Sequence, residues 1–191
     1  MCHGFHFYKG AGLANWLIFY PVERFMSRFC DMIVTINHED EARAKTFHCP
    51  RVEHINGIGV DFSKRQCTIS REEKRKELGV EDSDILVLSV GELQTRKNHE
   101  VILRAIAKLQ NPNIKYFLCG KGVLQDHLEE LTQTLGLKEQ VRFLGYRKDI
   151  PEIMNAADIF AHPSKREGLG LACLEAMASG LPLVTSNIQG I

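Results

Sequence analysis

The chain has 191 residues, 44% of them hydrophobic and 25% charged, enough for one sizeable domain or two small ones. Its 24 Lys and Arg balance 24 Asp and Glu, which excludes a general polyanion binder, so no nucleic-acid partner is expected and any anion needs a local site. No apolar run reaches the roughly 18–20 residues of a membrane span, and the six cysteines show neither a CxxC pair nor zinc-finger spacing, which points to a reducing, cytoplasmic setting.

In chain order, the first sixty residues read as a small α/β piece. The pattern predicts a helix over 16–29, a strand over 32–36, a helix over 39–47 and a strand over 52–55. Aromatic residues crowd the start: Phe5, Phe7, Tyr8, Trp16, Phe19, Tyr20, Phe25 and Phe29. They read either as helix core or as a surface that touches a membrane or a lipid-linked substrate. The stretch Asn56-Gly57-Ile58-Gly59 breaks the pattern, and residues 61–82 read as a linker with one short helix over 71–78.

From residue 83 the pattern alternates. DILVLSVG is a buried strand over 85–90, and HEVILRAIAKL is a helix over 99–109 with Asn98 as its N-cap. IKYFLCG is a strand ending at Gly120, and VLQDHLEELTQTLG a helix stopped by Gly136. VRFLG is a strand, and IPEIMNAA a helix with Pro151 in its first turn. IFAHPS is a strand, LACLEAMAS a helix and LPLVTS the last strand. This alternation predicts an α/β fold whose parallel sheet is covered on both faces. Ligands of such sheets bind beyond the carboxyl ends of the strands, where GELQTRKN, CGKG, GYRKD and HPSKREGLG fall.

The last of these loops opens the block EGLGLACLEAMASGLPLV, in which Glu167 and Glu175 flank a glycine-bearing entry into a helix. The free amides of a helix start carry partial positive charge. Gly168 and Gly170 leave those amides open to a phosphate. Glu167 stands where it could accept hydrogen bonds from sugar hydroxyls, and Glu175 where it could meet a second polyol. Carboxylates on either side of a phosphate cradle suggest a nucleotide sugar. An acidic residue near a helix start is also favourable without any ligand, by about 0.3–1 kcal/mol.

The block E-G-L-G-L-x-x-x-E-A-M-A-x-G-x-P-L-V resembles the signature of the group 1, or family 4, retaining glycosyltransferases, two-domain enzymes of the GT-B fold. The resemblance extends through VLSVGELQTRKNHEVILRAIAKL, YFLCGKGVLQDHLEEL and VRFLGYRKDIPEIMNAADIFAHPS, and to HGFHFYKGA and TINHED near the start. It is similar in flavour to bacterial capsular and exopolysaccharide transferases. The resemblance implies a Rossmann-like, nucleotide-sugar-binding domain over 83–191, lacking its C-terminal end. It implies before it, over 1–60, the second half of an acceptor-side Rossmann-like domain.

The resemblance further implies roles. Glu167 would contact the donor sugar, while Gly168, Leu169, Gly170 and Leu171 would supply amides to it and to the pyrophosphate. Glu175 would bind the ribose and Lys97 the phosphates. The loop at Gly145, Tyr146 and Arg147 would hold the base, and His3 would stand near the reacting carbon, with His6 a weaker claimant. One position departs from the family pattern: Glu92 stands five residues before Lys97, where the family usually has arginine. Arg96 is the candidate substitute.

The activity implied is hexosyl transfer, with retention, from a nucleoside-diphosphate sugar, UDP-linked by expectation, to a saccharide or lipid-linked acceptor in surface polysaccharide synthesis. No metal or other cofactor is expected, and the location implied is cytoplasmic, with peripheral contact at the inner membrane face. Two alternatives stay open: a GT-B nucleotide-sugar isomerase or epimerase, and a non-catalytic sugar-nucleotide-binding fragment. The chain is expected to be truncated at both ends, and therefore to bind donor poorly and not to transfer sugar alone.

Overall fold

Residues 85–90, 114–119, 141–145, 159–162 and 183–185 form one five-stranded parallel sheet, as their near-continuous apolar runs require. A computed structural model describes residues 4–8, 10–57, 59–61 and 67–188. The chain divides into two compact units, residues 1–59 with 167–169 and 190, and residues 60–166 with 170–189 and 191.

In the first unit, α1 (Leu13–Met26) continues through Pro21 and closes in a 3-10 turn, Ser27–Phe29. It begins three residues before the predicted start. The two short strands β1 (Ile33–Thr35) and β2 (Val52–His54) pair in parallel, with α2 (His38–Ala44) between them. Asn37 caps α2, its side chain accepting from the Asp40 amide at 2.8 Å. The aromatic crowd divides in two. Phe5 and Phe7 are buried and pack with Trp16, Tyr20 and Phe47, whereas Phe25 and Phe29 are exposed beside Leu13, Leu17, Ile18 and Val22. Among the described residues, no helix is long and apolar enough to cross a membrane.

The second unit opens with α3 (Arg71–Leu78), bounded as its sequence predicts. Ser70 and Glu73 form a reciprocal capping box, and Gly79 ends the helix in the left-handed region at φ 66°. The strands and helices then alternate: β3 (Ile85–Val90), α4 (Glu100–Leu109), β4 (Ile114–Cys119), α5 (Gln125–Thr134), β5 (Val141–Gly145), α6 (Ile150–Ala156), β6 (Ile159–His162), α7 (Leu171–Ala178) and β7 (Leu183–Thr185). The sheet order is β5-β4-β3-β6-β7. The order reverses between β3 and β6, which creates a crevice at the carboxyl ends of these two strands. Apolar clusters fill both faces, one around Leu86, Leu88, Phe117 and Phe160, the other around Leu103, Tyr116, Leu118 and Leu128.

One expectation is corrected. Asn98 does not cap α4; the cap residue is His99. Asn98 itself takes φ 56°, and its side-chain amide donates to the Pro163 carbonyl at 3.2 Å. Asn tolerates the left-handed region better than most residues, and here it serves a tie between two loops in place of a helix end.

The segment around α3 is integral to the second unit. Arg75, 5% exposed, donates from Nη1 to the Ala156 carbonyl at 3.0 Å and to Asp158 Oδ2 at 3.1 Å. Its Nη2 donates to the carbonyls of Glu81 at 2.6 Å and Asp84 at 2.8 Å. Asp158 Oδ2 also accepts from the Leu86 amide at 2.7 Å, which ties the start of β6 to β3.

Candidate functional site at the carboxyl ends of the strands

Three loops leave the sheet at β3, β4 and β5 and are laced together by backbone. The Gly91 amide donates to the Cys119 carbonyl at 2.9 Å, Gly120 to Gly145 at 2.7 Å and Leu93 to Lys121 at 3.1 Å. The glycines of CGKG make this approach feasible. A Cβ at Gly120 would lie 1.9 Å from the Gly91 oxygen, and one at Gly122 would lie 2.4 Å from the Leu93 oxygen.

Between these loops opens a cavity of about 730 Å³, lined by Val90, Glu92, Cys119, Lys121, Tyr146 and Arg147 among others. Its size suits a nucleoside-sized ligand. Tyr146 is exposed. Arg147 donates through Nε to Asp149 Oδ1 at 2.8 Å and through Nη2 to Asp149 Oδ2 at 2.5 Å and Glu77 Oε1 at 3.3 Å. The Arg147 guanidinium in turn holds the Asp149 carboxyl well below the usual carboxylate range. Burial pushes the Cys119 thiol up to about 12, so it lines the cavity as an inert apolar group.

The β3–α4 and β6–α7 loops meet across the crevice where the strand order reverses. The Lys165 amide donates to the Arg96 carbonyl at 2.8 Å, and Arg96 Nη1 stands 3.5 Å from the Arg166 carbonyl. With the Asn98–Pro163 bond, these ties place Arg96 and Lys97 on the loop that faces the entry to α7. Lys97 lies across Gly91, its Cε 3.2 Å from where a Cβ there would stand. Glu92 is exposed on the cavity rim.

The loop 163–170 enters α7 with Gly170 as N-cap at φ −76°, a residue that has no side chain to cap the helix start. Glu167 is 9% exposed; Gly168 and Leu169 are half-buried, Gly170 is buried and Leu171 is exposed. Glu175 is half-buried, on the second turn of α7. His3 lies outside the described residues. His6 is exposed and stacks on Phe19, with ring centroids 4.8 Å apart.

Sequence reasoning missed a buried polar chain beneath this site. His99 Nδ1 lies 3.2 Å from the Tyr116 hydroxyl, which donates to Ser89 Oγ at 2.9 Å. Ser89 Oγ donates to the Ala161 carbonyl at 2.6 Å, and His99 Nε2 faces the Glu92 carbonyl at 3.4 Å. With a neutral imidazole, three protons serve these four links, so the single imidazole N–H serves either the Tyr116 hydroxyl or the Glu92 carbonyl. Through Tyr116 of β4 and Ser89 of β3, the chain ties the start of α4 to β6. A histidine next to a lysine-bearing loop and a tyrosine inside an apolar strand were the available signals, but nothing in the spacing pairs them.

Burial, aided by the nearby charges of Lys97 and His162, pushes the His99 pKa down to about 4. Between pH 6.5 and 4 the unfolded chain therefore binds more protons than the native one, so stability falls as the medium is acidified through this window. The expected loss approaches about 3 kcal/mol. Urea unfolding at pH 7.0 and 4.5 checks this: a His99→Gln variant, less stable at neutral pH, should lose much less between the two conditions. Equal losses in both proteins would rule the effect out.

Known proteins match this architecture. The family model described as glycosyl transferases group 1 matches residues 70–191. EpsD of Bacillus subtilis (strain 168), whose name is that of a glycosyltransferase without a stated reaction, is 36% identical over 194 residues, covering 98% of this chain and 51% of EpsD. The Escherichia coli UDP-Gal:alpha-D-GlcNAc-diphosphoundecaprenol alpha-1,3-galactosyltransferase is 32% identical over 196 residues, covering 98% of this chain and 51% of that enzyme. Among solved structures, Anabaena Alr3699/HepE in complex with UDP and glucose superposes with a TM-score of 0.83 at 25% identity, covering 98% of this chain and 52% of that one. The chain thus spans about half the length of these relatives. The match over 70–191, which takes in every strand of the five-stranded sheet and the whole loop-to-α7 block, makes this chain a member of the group 1 glycosyl transferases, with the GT-B type of fold.

Proposed function

We propose that the second unit binds the nucleoside diphosphate of a sugar donor, and that the chain carries the donor side of a retaining hexosyltransferase. The observation that carries this reading is the meeting of two loops at the strand-order reversal. One brings Arg96 and Lys97, the other leads into the start of α7, where the N-cap is Gly170. Cations and helix amides converging on one point suit a diphosphate without requiring a metal ion. The cavity at Tyr146 and Arg147 takes the base beside Gly145, and Glu175 takes the ribose hydroxyls. Glu167 takes the hydroxyls of the donor sugar, with amides of Gly168, Leu169, Gly170 and Leu171 around the pyrophosphate.

The donor proposed is a UDP-sugar, as in the solved relative with UDP and glucose. The acceptor proposed is a saccharide or lipid-linked saccharide, the class named for the Escherichia coli relative, in cytoplasmic assembly of a surface polysaccharide. In the reaction, the acceptor oxygen bonds to the anomeric carbon on the face that the diphosphate leaves, and the acceptor proton passes to the departing phosphate oxygen. Lys97 and the α7 amides stabilise the charge that develops there.

Calorimetry with UDP, GDP and their hexose conjugates tests the assignment. Glu175→Ala should weaken UDP itself by about tenfold, since a charged hydrogen bond contributes about 1.5–3 kcal/mol. Glu167→Ala should leave UDP unchanged and weaken only the sugar conjugate. Wild-type binding by both variants would sink the assignment.

A further inference from the structure

The first unit has its own convergence of polar side chains, on residues unrelated to the donor site. Parallel pairing sets Thr35 opposite His54, so β1 and β2 end side by side. Just past β1, Asn37 fixes the first turn of α2 by accepting from the Asp40 amide at 2.8 Å and donating to Asp40 Oδ2 at 2.7 Å. His38 and Glu41 stand on that turn, three apart and therefore on one face. His38 Nδ1 lies 3.1 Å from Glu41 Oε2. The His54 ring, from the end of β2, stacks on the His38 ring with centroids 4.2 Å apart. One ligand atom from each of the three lies within 4.8 Å of the others, and among the described residues this is the one such cluster of His, Cys, Asp and Glu.

We propose that His38, Glu41 and His54 form a binding site for a divalent transition-metal ion of the zinc class. Two imidazole nitrogens and one carboxylate oxygen are a donor set that borderline ions favour over calcium or magnesium, and a three-residue set leaves a coordination position for water. Tetrahedral ligands at about 2.0–2.1 Å from zinc stand about 3.4 Å apart, so the more distant side chains have to draw in by up to about 1.4 Å and the two rings splay from their stack. The means for this are present. The His38 side chain is 84% exposed and free to change rotamer. Glu41 exchanges its 2.6 Å ion pair with Lys45 for the metal. The backbone frame, a capped helix start beside a paired strand end, stays as it is. The expectation that sugar transfer needs no metal concerns the diphosphate and is untouched, because none of these residues belongs to the donor set.

The full chain, stripped with a chelator, should be titrated with Zn²⁺ by calorimetry and with Co²⁺ by visible absorption. The result expected is one equivalent bound with a Kd on the order of micromolar or tighter, and a cobalt band of a low-coordinate site. His38→Gln and His54→Gln should each weaken Zn²⁺ by roughly tenfold or more. A Cys67→Ser variant should bind as the parent does. His38 is exposed enough that its variant folds, and circular dichroism confirms this for each protein. No binding at about 100 µM free Zn²⁺ would overturn the proposal. So would binding that persists in both histidine variants, or that is lost in only one of them.

Discussion

Replacement of Arg75 by methionine is expected to destabilise the second unit by about 3–5 kcal/mol, the scale for breaking a buried ion pair by removing one partner. Methionine keeps most of the aliphatic volume, so a packing void is not the main cause. The variant instead leaves the carbonyls of Ala156, Glu81 and Asp84 without their donor, and deprives the Asp158 carboxylate of one of its two arginines. Arg71, which donates to the carbonyls of Asn155 and Ala157 and pairs with Asp158 Oδ1, is more exposed. Arg71→Ala should cost nearer 1 kcal/mol, since solvent replaces part of what is lost. The damage should reach the candidate site, because Asp158 anchors a short ladder, in which β3 and β6 pair Val87 with Ile159 and Leu88 with Phe160. Urea unfolding decides the matter; a loss under about 1 kcal/mol for Arg75→Met would show that the guanidinium is not what holds this corner.

That corner also shows what sequence pattern conveys and what it omits. The elements of the second unit are legible because strong periodicities, caps and breakers agree. Ser70 with Glu73 starts α3, Pro151 sits in the first turn of α6, and Gly136 follows α5 at φ 71°. Arg71 and Arg75, by contrast, read as charges of a solvated helix in REEKRKELG. Apart from the Glu81 and Asp84 carbonyls, their partners lie more than eighty positions away, at Asn155, Ala156, Ala157 and Asp158, and no local rule relates the two segments. Asn98 misleads for the same reason. A residue good at capping is taken by a distant carbonyl, at Pro163, and the helix begins without it.

The candidate site is legible by position more than by mechanism. Loops beyond strand ends are predictable as a class, and the glycines of CGKG mark one. Their physical reason, a neighbouring backbone passing where side chains would stand, emerges only when β3 and β4 are paired. The same pairing assembles His99, Tyr116 and Ser89 into one chain of hydrogen bonds, from residues that the sequence pattern distributes over three separate elements. The aromatic start of the chain is ambiguous for another reason. Composition cannot separate a helix face that packs on Phe7 from one that stays exposed with Phe25 and Phe29, and both occur.

If the chain carries the donor side of the transferase as proposed, Lys97→Ala in the transfer-competent protein is expected to lower sugar transfer by about 10²–10³-fold, the scale for deleting one preorganised stabiliser of developing charge. UDP affinity should fall by about tenfold or more, as for any charged hydrogen bond lost to a phosphate. The way the loop is held sets this scale. Its start is braced by the Leu93 amide donating to the Lys121 carbonyl at 3.1 Å, its middle by the Lys97 amide donating to the Gln94 carbonyl at 2.9 Å, and its end by Asn98 on Pro163. A lysine on so fixed a frame would meet the proposed phosphates without a large ordering cost, which is the condition for charge to act on the transition state. With a carboxylate at Glu92, Arg96 and Lys97 are the loop's cations, so little remains to share the work when Lys97 is removed. Lys97→Arg should recover part of the activity, because a guanidinium keeps the charge but replaces a compact ammonium by a bulkier planar fork. Arg96→Ala should fall short of the Lys97→Ala effect, since Arg96 is exposed and turned toward the Arg166 carbonyl. Paired measurements of turnover and UDP calorimetry separate the two residues; a Lys97→Ala protein within threefold of the parent in both would remove the diphosphate from this loop.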